Sequence, residues 1–232
     1  MLDERISVPW QPWEAVPVAL GAFVATALAS LILAAITGGI GGISYQLTIL
    51  VFPVALAAFT VLWVSLRYRA VVDLRLGSTR PRTDVVLGGL FGVALFAATT
   101  LAVFPIVRFL WELIAGHPPS PITQPVVPAD PGPSQLVVGV IAVIVAAPVG
   151  EELFFRGMIF GSLRTRFGFW AAGAMSSVVF ALVHVQPPLM ILMFFVGFGL
   201  AFIYEWRGSL AASIAAHAAF NVIGFTLILL VR

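Results

Sequence analysis

The chain reads as an all-α integral membrane protein, a bundle of about seven transmembrane helices, or eight if a segment near residue 110 counts separately. Three observations predict that class. First, 61% of its 232 residues are hydrophobic and 9% are charged, with a mean hydropathy of +1.09. A soluble domain carries about 25% charged residues because its surface must face water. Second, the apolar runs are long and unbroken, unlike the alternating pattern of a transmembrane barrel, so helices are the spanning elements. Third, all six tryptophans (Trp10, Trp13, Trp63, Trp111, Trp170 and Trp206) fall at or just beyond the ends of those runs. Amphipathic indoles favour that interfacial level.

About 20 apolar residues cross a hydrocarbon core of about 30 Å. On that scale the first span is Ala15–Thr37; the preceding MLDERISVPWQPWE has mixed charge, and the run is too long for a cleaved signal, so it is read as an anchor. A Gly-rich GGIGGIS turn leads to the second span, Tyr45–Leu66. The third is Val85–Val107, with Phe109–Gly116 as a helical extension or interfacial piece. The loop HPPSPITQPVVPADPGPS, residues 117–134, holds seven prolines and favours extended polyproline II as a semi-rigid connector. The fourth span is Leu136–Leu163. The fifth and sixth, Trp170–Val185 and Leu189–Tyr204, are short and joined through Gln186-Pro187-Pro188. The seventh is Leu210–Val231. Gly88 and Gly92, with Gly197, Gly199 and the AASIAAHAA run, mark close helix packing. No internal repeat is evident. The organisation expected is one polytopic membrane domain, 1–232, with an N-terminal three-helix part (1–135) and a polar-motif part (136–232).

Arginine sets the expected orientation. With the N-terminus in the cytoplasm, nine arginines (5, 67, 69, 75, 80, 82, 164, 166 and 207) fall in cytoplasmic segments, whereas Arg108 and Arg232 fall outside. The positive-inside rule then predicts a cell-membrane protein with an external C-terminus. All twelve basic residues are Arg, yet they form no dense stripe, which argues against a nucleic-acid partner. Cysteine is absent, which excludes disulfides, thiolate metal sites and a cysteine nucleophile.

The charged side chains inside the predicted spans are Glu151, Glu152 and Arg156, within GEELFFRG; two of the three histidines, His184 and His217, are intramembrane as well. A charge near the bilayer centre costs at least about 2.5–3.5 kcal/mol, so such residues mark function by default. Glu152 and Arg156 lie four apart in acid-before-base order, the spacing of a structural ion pair. Glu151 sits about 100° round the helix and must find a partner elsewhere, hold a proton or face water. His217 and Asn221 in HAAFN, and Phe180 and His184 in FALVH, repeat the four-residue spacing. A lone buried His or Asn is more often interhelical glue than catalyst. Two His, one Asn and a spare Glu together favour a functional site. His117, in the Pro-rich loop, is read as solvated.

Taken together, Glu151-Glu152-x-x-x-Arg156, Phe180-x-x-x-His184 and His217-x-x-x-Asn221 resemble the EExxxR, FxxxH and HxxxN motifs of the CAAX-protease and bacteriocin-processing (CPBP) family, which includes the type II CAAX prenyl endopeptidases. The resemblance covers about the C-terminal 100 residues. It implies an intramembrane endopeptidase acting on a membrane-associated peptide or protein. Glu151 would be the general base that activates water, with His184 orienting it. His217 and Asn221 would stabilise the carbonyl oxygen, and Glu152, Arg156 and Phe180 would give structural support. The cofactor is either none or zinc, the latter held by Glu151, His184 and His217; no HExxH helix exists here, and the metal-independent form is preferred. The competing readings are a proton-coupled membrane transporter, disfavoured because the polar residues cluster in one half, and a non-catalytic bacteriocin-immunity-type membrane protein.

Overall fold

The computed structural model describes residues 7–38, 42–69, 74–75, 80–119 and 131–230, with backbone alone for 42–46. Among the described residues it is all helical. Six helices are long and apolar enough to cross a membrane and a seventh is shorter. They are α1 (Ala15–Thr37), α2 (Gly42–Tyr68), α3 (Pro81–Ala115), α4 (Pro133–Arg164), α5 (Phe169–Leu182), α6 (Pro187–Arg207) and α7 (Leu210–Leu230). Leu20, Leu31, Leu90 and Leu101 are exposed on α1 and α3, as side chains facing acyl tails should be.

The helix ends follow local chemistry. Gly38, Gly116 and Gly208 close α1, α3 and α6 in left-handed geometry (φ 76°, 73° and 60°), which glycine adopts without a Cβ penalty. The segment Phe109–Gly116 continues α3 after a π-helical turn at Thr99–Val103. Within GGIGGIS only residues 39–41 lie outside the described residues, as do 120–130 of the Pro-rich loop; Gly42–Ser44 are the first residues of α2, which starts before the expected Tyr45.

Three expectations are corrected. The fifth span stops at Leu182, not Val185, because Val185 is left-handed (φ 58°) and Pro187-Pro188 cannot extend a helix backwards. With 14 residues, α5 is about 21 Å long, shorter than a hydrocarbon core of about 30 Å. His184 therefore sits on a turn, not on a helix face. Trp10, expected to face the lipid interface, is fully enclosed by protein, and its Nε1 donates to the Met158 carbonyl at 3.1 Å. Finally, the acids inside the bundle are more numerous than the span boundaries implied. Asp84 and Glu205 are buried at the ends of α3 and α6, paired with Arg207 (2.6 Å) and Arg164 (2.8 Å). Glu14, buried just before α1, accepts from Trp63 and Tyr68. Each acid has a cationic or hydrogen-bonding partner, which offsets the cost of leaving water.

The glycines set how near the helices come. A Cβ at Gly88 or Gly92 would lie 2.2 or 2.1 Å from the carbonyl oxygen of Ala212 or Ala216, so α3 and α7 touch backbone to backbone. A Cβ on Gly150 would meet the Pro53 carbonyl oxygen at 2.2 Å, which fixes α2 against α4 one residue before Glu151. Gly92→Ala is expected to lower stability in detergent by about 1–3 kcal/mol through overpacking. Gly89→Ala, where a Cβ would meet nothing within 4 Å, should leave the thermal midpoint unchanged.

Candidate active site

α4 is not a uniform α-helix. It contains two π-helical segments, Ile141–Ala146 and Leu153–Phe160, with Ala147–Glu152 between them. Wide π turns are rare and concentrate at functional sites. They also leave carbonyls poorly served by their own helix, and here outside donors supply them. Asn221 Nδ2 donates to the Val143 carbonyl at 2.9 Å in the first segment, and Trp10 donates to Met158 in the second. Glu151 and Glu152 close the short α-helical stretch between, so their directions are fixed from both sides.

The two adjacent acids diverge. Glu152 is fully buried. Its Oε1 lies 2.9 Å from Arg156 Nη1 and accepts from His217 Nδ1 at 2.9 Å, while Oε2 accepts from the Ser213 hydroxyl. Arg156, also buried, donates from Nη2 to the Gly197 carbonyl at 3.0 Å and lies 4.7 Å from the centre of the Phe180 ring. One ion pair thus ties α4, α5, α6 and α7 together. The spacing of Glu152 and Arg156 foretold this pair; the additional claim of His217 on Glu152 was not expected.

Glu151 turns the other way. Its side chain keeps 23% of its surface accessible, and its Oε2 stands 3.9 Å from His217 Nε2, too long for a hydrogen bond and within reach of a shared water. Glu151 and His184 line one cavity of about 300 Å³, whose other walls include Phe23 of α1, Phe52 of α2 and Phe155 of α4. His184 Nδ1 lies 2.8 Å from the Phe180 carbonyl. A carbonyl can only accept, so Nδ1 is the donor, and Nε2 is the bare nitrogen of the neutral tautomer. Phe180 is buried between the two imidazoles, its ring 4.9 Å from that of His184 and 6.1 Å from that of His217.

The structure therefore sets both imidazoles against Phe180, with Glu151 sharing a cavity with His184 and standing 3.9 Å from His217. The amide of Asn221, expected to stabilise a carbonyl oxygen, donates one hydrogen to the Val143 carbonyl in the π turn of α4. His117 is exposed, as expected of a loop residue, with Nδ1 against the Pro118 carbonyl. Ser213 is the residue that motif reasoning missed. The signal was present, since Ser213, His217 and Asn221 recur every four residues along one face of α7. Phe23 and Phe52 gave no signal at all, being apolar residues in apolar helices.

Among the described residues, no three His, Asp or Glu side chains come together closely enough to hold a metal ion. Glu152 holds His217 through Nδ1, so the zinc donors expected of that ring and of Glu151 are Nε2 and Oε2, which stand 3.9 Å apart.

Comparison with known proteins agrees with the motif assignment. Residues 133–223 match the family model for type II CAAX prenyl endopeptidase Rce1-like proteins. Over 82 residues the chain is 35% identical to YdiL of Bacillus subtilis (strain 168), a candidate membrane peptidase; this covers 35% of the chain and 34% of that protein. It is 26% identical over 179 residues to the membrane-embedded CAAX protease MroQ of Staphylococcus aureus (strain USA300), covering 75% of the chain and 69% of the relative. The UPF0177 protein YxdF of Lactococcus lactis subsp. lactis (strain IL1403) is 33% identical over 81 residues, covering 34% of the chain and 44% of that protein. The chain thus spans only about a third of the YdiL relative. No solved structure matches it. All three motifs lie inside the matched stretch, in a chain with helices long and apolar enough for a multi-pass membrane protein, so residues 133–223 are similar to the type II CAAX prenyl endopeptidase Rce1-like family.

Proposed function

We propose that the protein is an intramembrane endopeptidase that hydrolyses a peptide bond of a membrane-associated peptide or protein, using water activated by Glu151. The observation that carries this reading is the shared cavity of Glu151 and His184, two polar side chains 33 residues apart on a wall otherwise made of hydrocarbon. Glu151, without a cationic partner at contact distance, takes the proton of the attacking water. The bare Nε2 of His184 accepts the second hydrogen and aims the oxygen at the carbonyl carbon. His217, held through Nδ1 by Glu152, donates from Nε2 to the developing oxyanion when that nitrogen carries the proton. Glu151 then returns its proton to the leaving amine. Asn221 and Phe180 act as positioning residues, the first through the π turn of α4 and the second between the imidazoles.

The polar backbone of the turn after α5 supports a wet cavity, since irregular backbone at membrane depth is tolerated where it is buried or lines water. The arginine asymmetry supports a cytoplasmic N-terminus and an external C-terminus. The family name does not assign a prenylated substrate to this chain.

The test is purification, reconstitution and digestion of a membrane-peptide library, with new termini read by mass spectrometry. Cleavage by the wild-type protein supports the reading. Proton-coupled uptake into liposomes without new termini would replace it with the carrier. The reading is metal-independent, so prior dialysis against EDTA is expected to leave the rate unchanged. A loss of activity restored by zinc would show that a metal enters the reaction.

A further inference from the structure

Resting on the hydrolytic reading above, we infer that Phe23 and Phe52, outside the family-matched region, set the size of a large uncharged side chain that the substrate presents beside the cleaved bond. The two rings stand 5.0 Å apart and form the wall contributed by α1 and α2 to the cavity of Glu151 and His184. Residues 133–223 carry the polar chemistry. Residues from the first two helices shape the space in front of it. That space is about 300 Å³, roughly twice the ~150 Å³ cavity that accepts a benzene ring. It has room for one aromatic or long aliphatic side chain. A charged side chain would lose its hydration against phenylalanine rings with no partner besides the reacting groups, so it is rejected.

Phe23 is suited to a limiting role because it is 60% exposed on the lipid-facing side of α1, where its truncation leaves the core intact. Ala19, one turn earlier on the same face, lines the same cavity, and extra carbon there would fill it.

The experiment uses the full-length protein in liposomes and a library of membrane peptides varied at the residues flanking the scissile bond. The wild type should prefer Phe, Trp and Leu to Ala, Asp and Arg. Phe23→Ala should shift the large-to-small cleavage ratio about tenfold towards the largest residues, and Ala19→Leu about tenfold the other way, the scale on which an apolar pocket discriminates. Phe52→Ala should move in the same direction as Phe23→Ala. An unchanged ranking in Phe23→Ala, with wild-type cleavage intact and the variant's thermal midpoint preserved, overturns the inference and leaves the hydrolase standing. A wild type that releases no new termini overturns both.

Discussion

Replacing Glu151 by Gln is expected to lower the cleavage rate by at least about 10²–10⁴-fold, the contribution of a positioned general base, while leaving the melting temperature unchanged. The substitution keeps the shape and removes the capacity to take a proton. Stability should be spared because Glu151 is partly accessible and makes its nearest charged contact at 3.9 Å. Exposed positions without a structural partner shift stability by about 0.5 kcal/mol or less. The same isosteric change one residue later gives the opposite result. Glu152 accepts from Ser213 and His217 and pairs with Arg156 inside the bundle, so Glu152→Gln should lower the thermal midpoint. Initial rates and thermal melts of both variants decide the matter. An active Glu151→Gln enzyme would remove the base from the scheme.

The second large effect concerns Arg156. Arg156→Met leaves the Glu152 carboxylate without its cation in a region from which water is excluded, and breaking one side of a buried pair costs about 3–5 kcal/mol. The loss is compounded because the guanidinium also donates to Gly197 and rests on Phe180. Adding Glu152→Gln to Arg156→Met is expected to recover part of the loss, since the stranded charge is then gone. Thermal unfolding of the two singles and the double in detergent measures the coupling. Additive losses would contradict the ion pair as the joint between α4 and its neighbours.

The parts of this protein most legible in sequence are those set by one-dimensional spacing. Among the described residues the seven apolar runs correspond to seven helices, six of them long enough to cross a bilayer, because about 20 apolar residues set that length; α5 falls short of it. Glu152 met Arg156 because four residues make one turn. The small residues at Gly88 and Gly92 marked a close helix pair because only the lack of a Cβ allows it. Illegible parts depended on three dimensions. Nothing along the chain shows that Trp10 folds back to Met158, or that His217 turns Nδ1 to Glu152 rather than to Glu151. The π turns of α4 were hidden as well, since no local spacing marks them and the donors that meet their carbonyls come from elsewhere in the molecule. Buried acids at helix ends escaped because Asp84 and Glu205 each fall one residue beyond an apolar run, and their arginines arrive from other segments. The hydrocarbon walls of the cavity were invisible for the simplest reason: Phe23 and Phe52 look like every other lipid-facing residue.

The most direct test of water activation by Glu151 is a single turnover in ¹⁸O-labelled water with enzyme in excess over a cleaved peptide. The account predicts one ¹⁸O in the new carboxyl terminus of the product and none in the Glu151 side chain after proteolytic mapping. Label in Glu151, with an unlabelled product, would mean that the carboxylate had attacked the substrate itself, and the general-base account would be wrong.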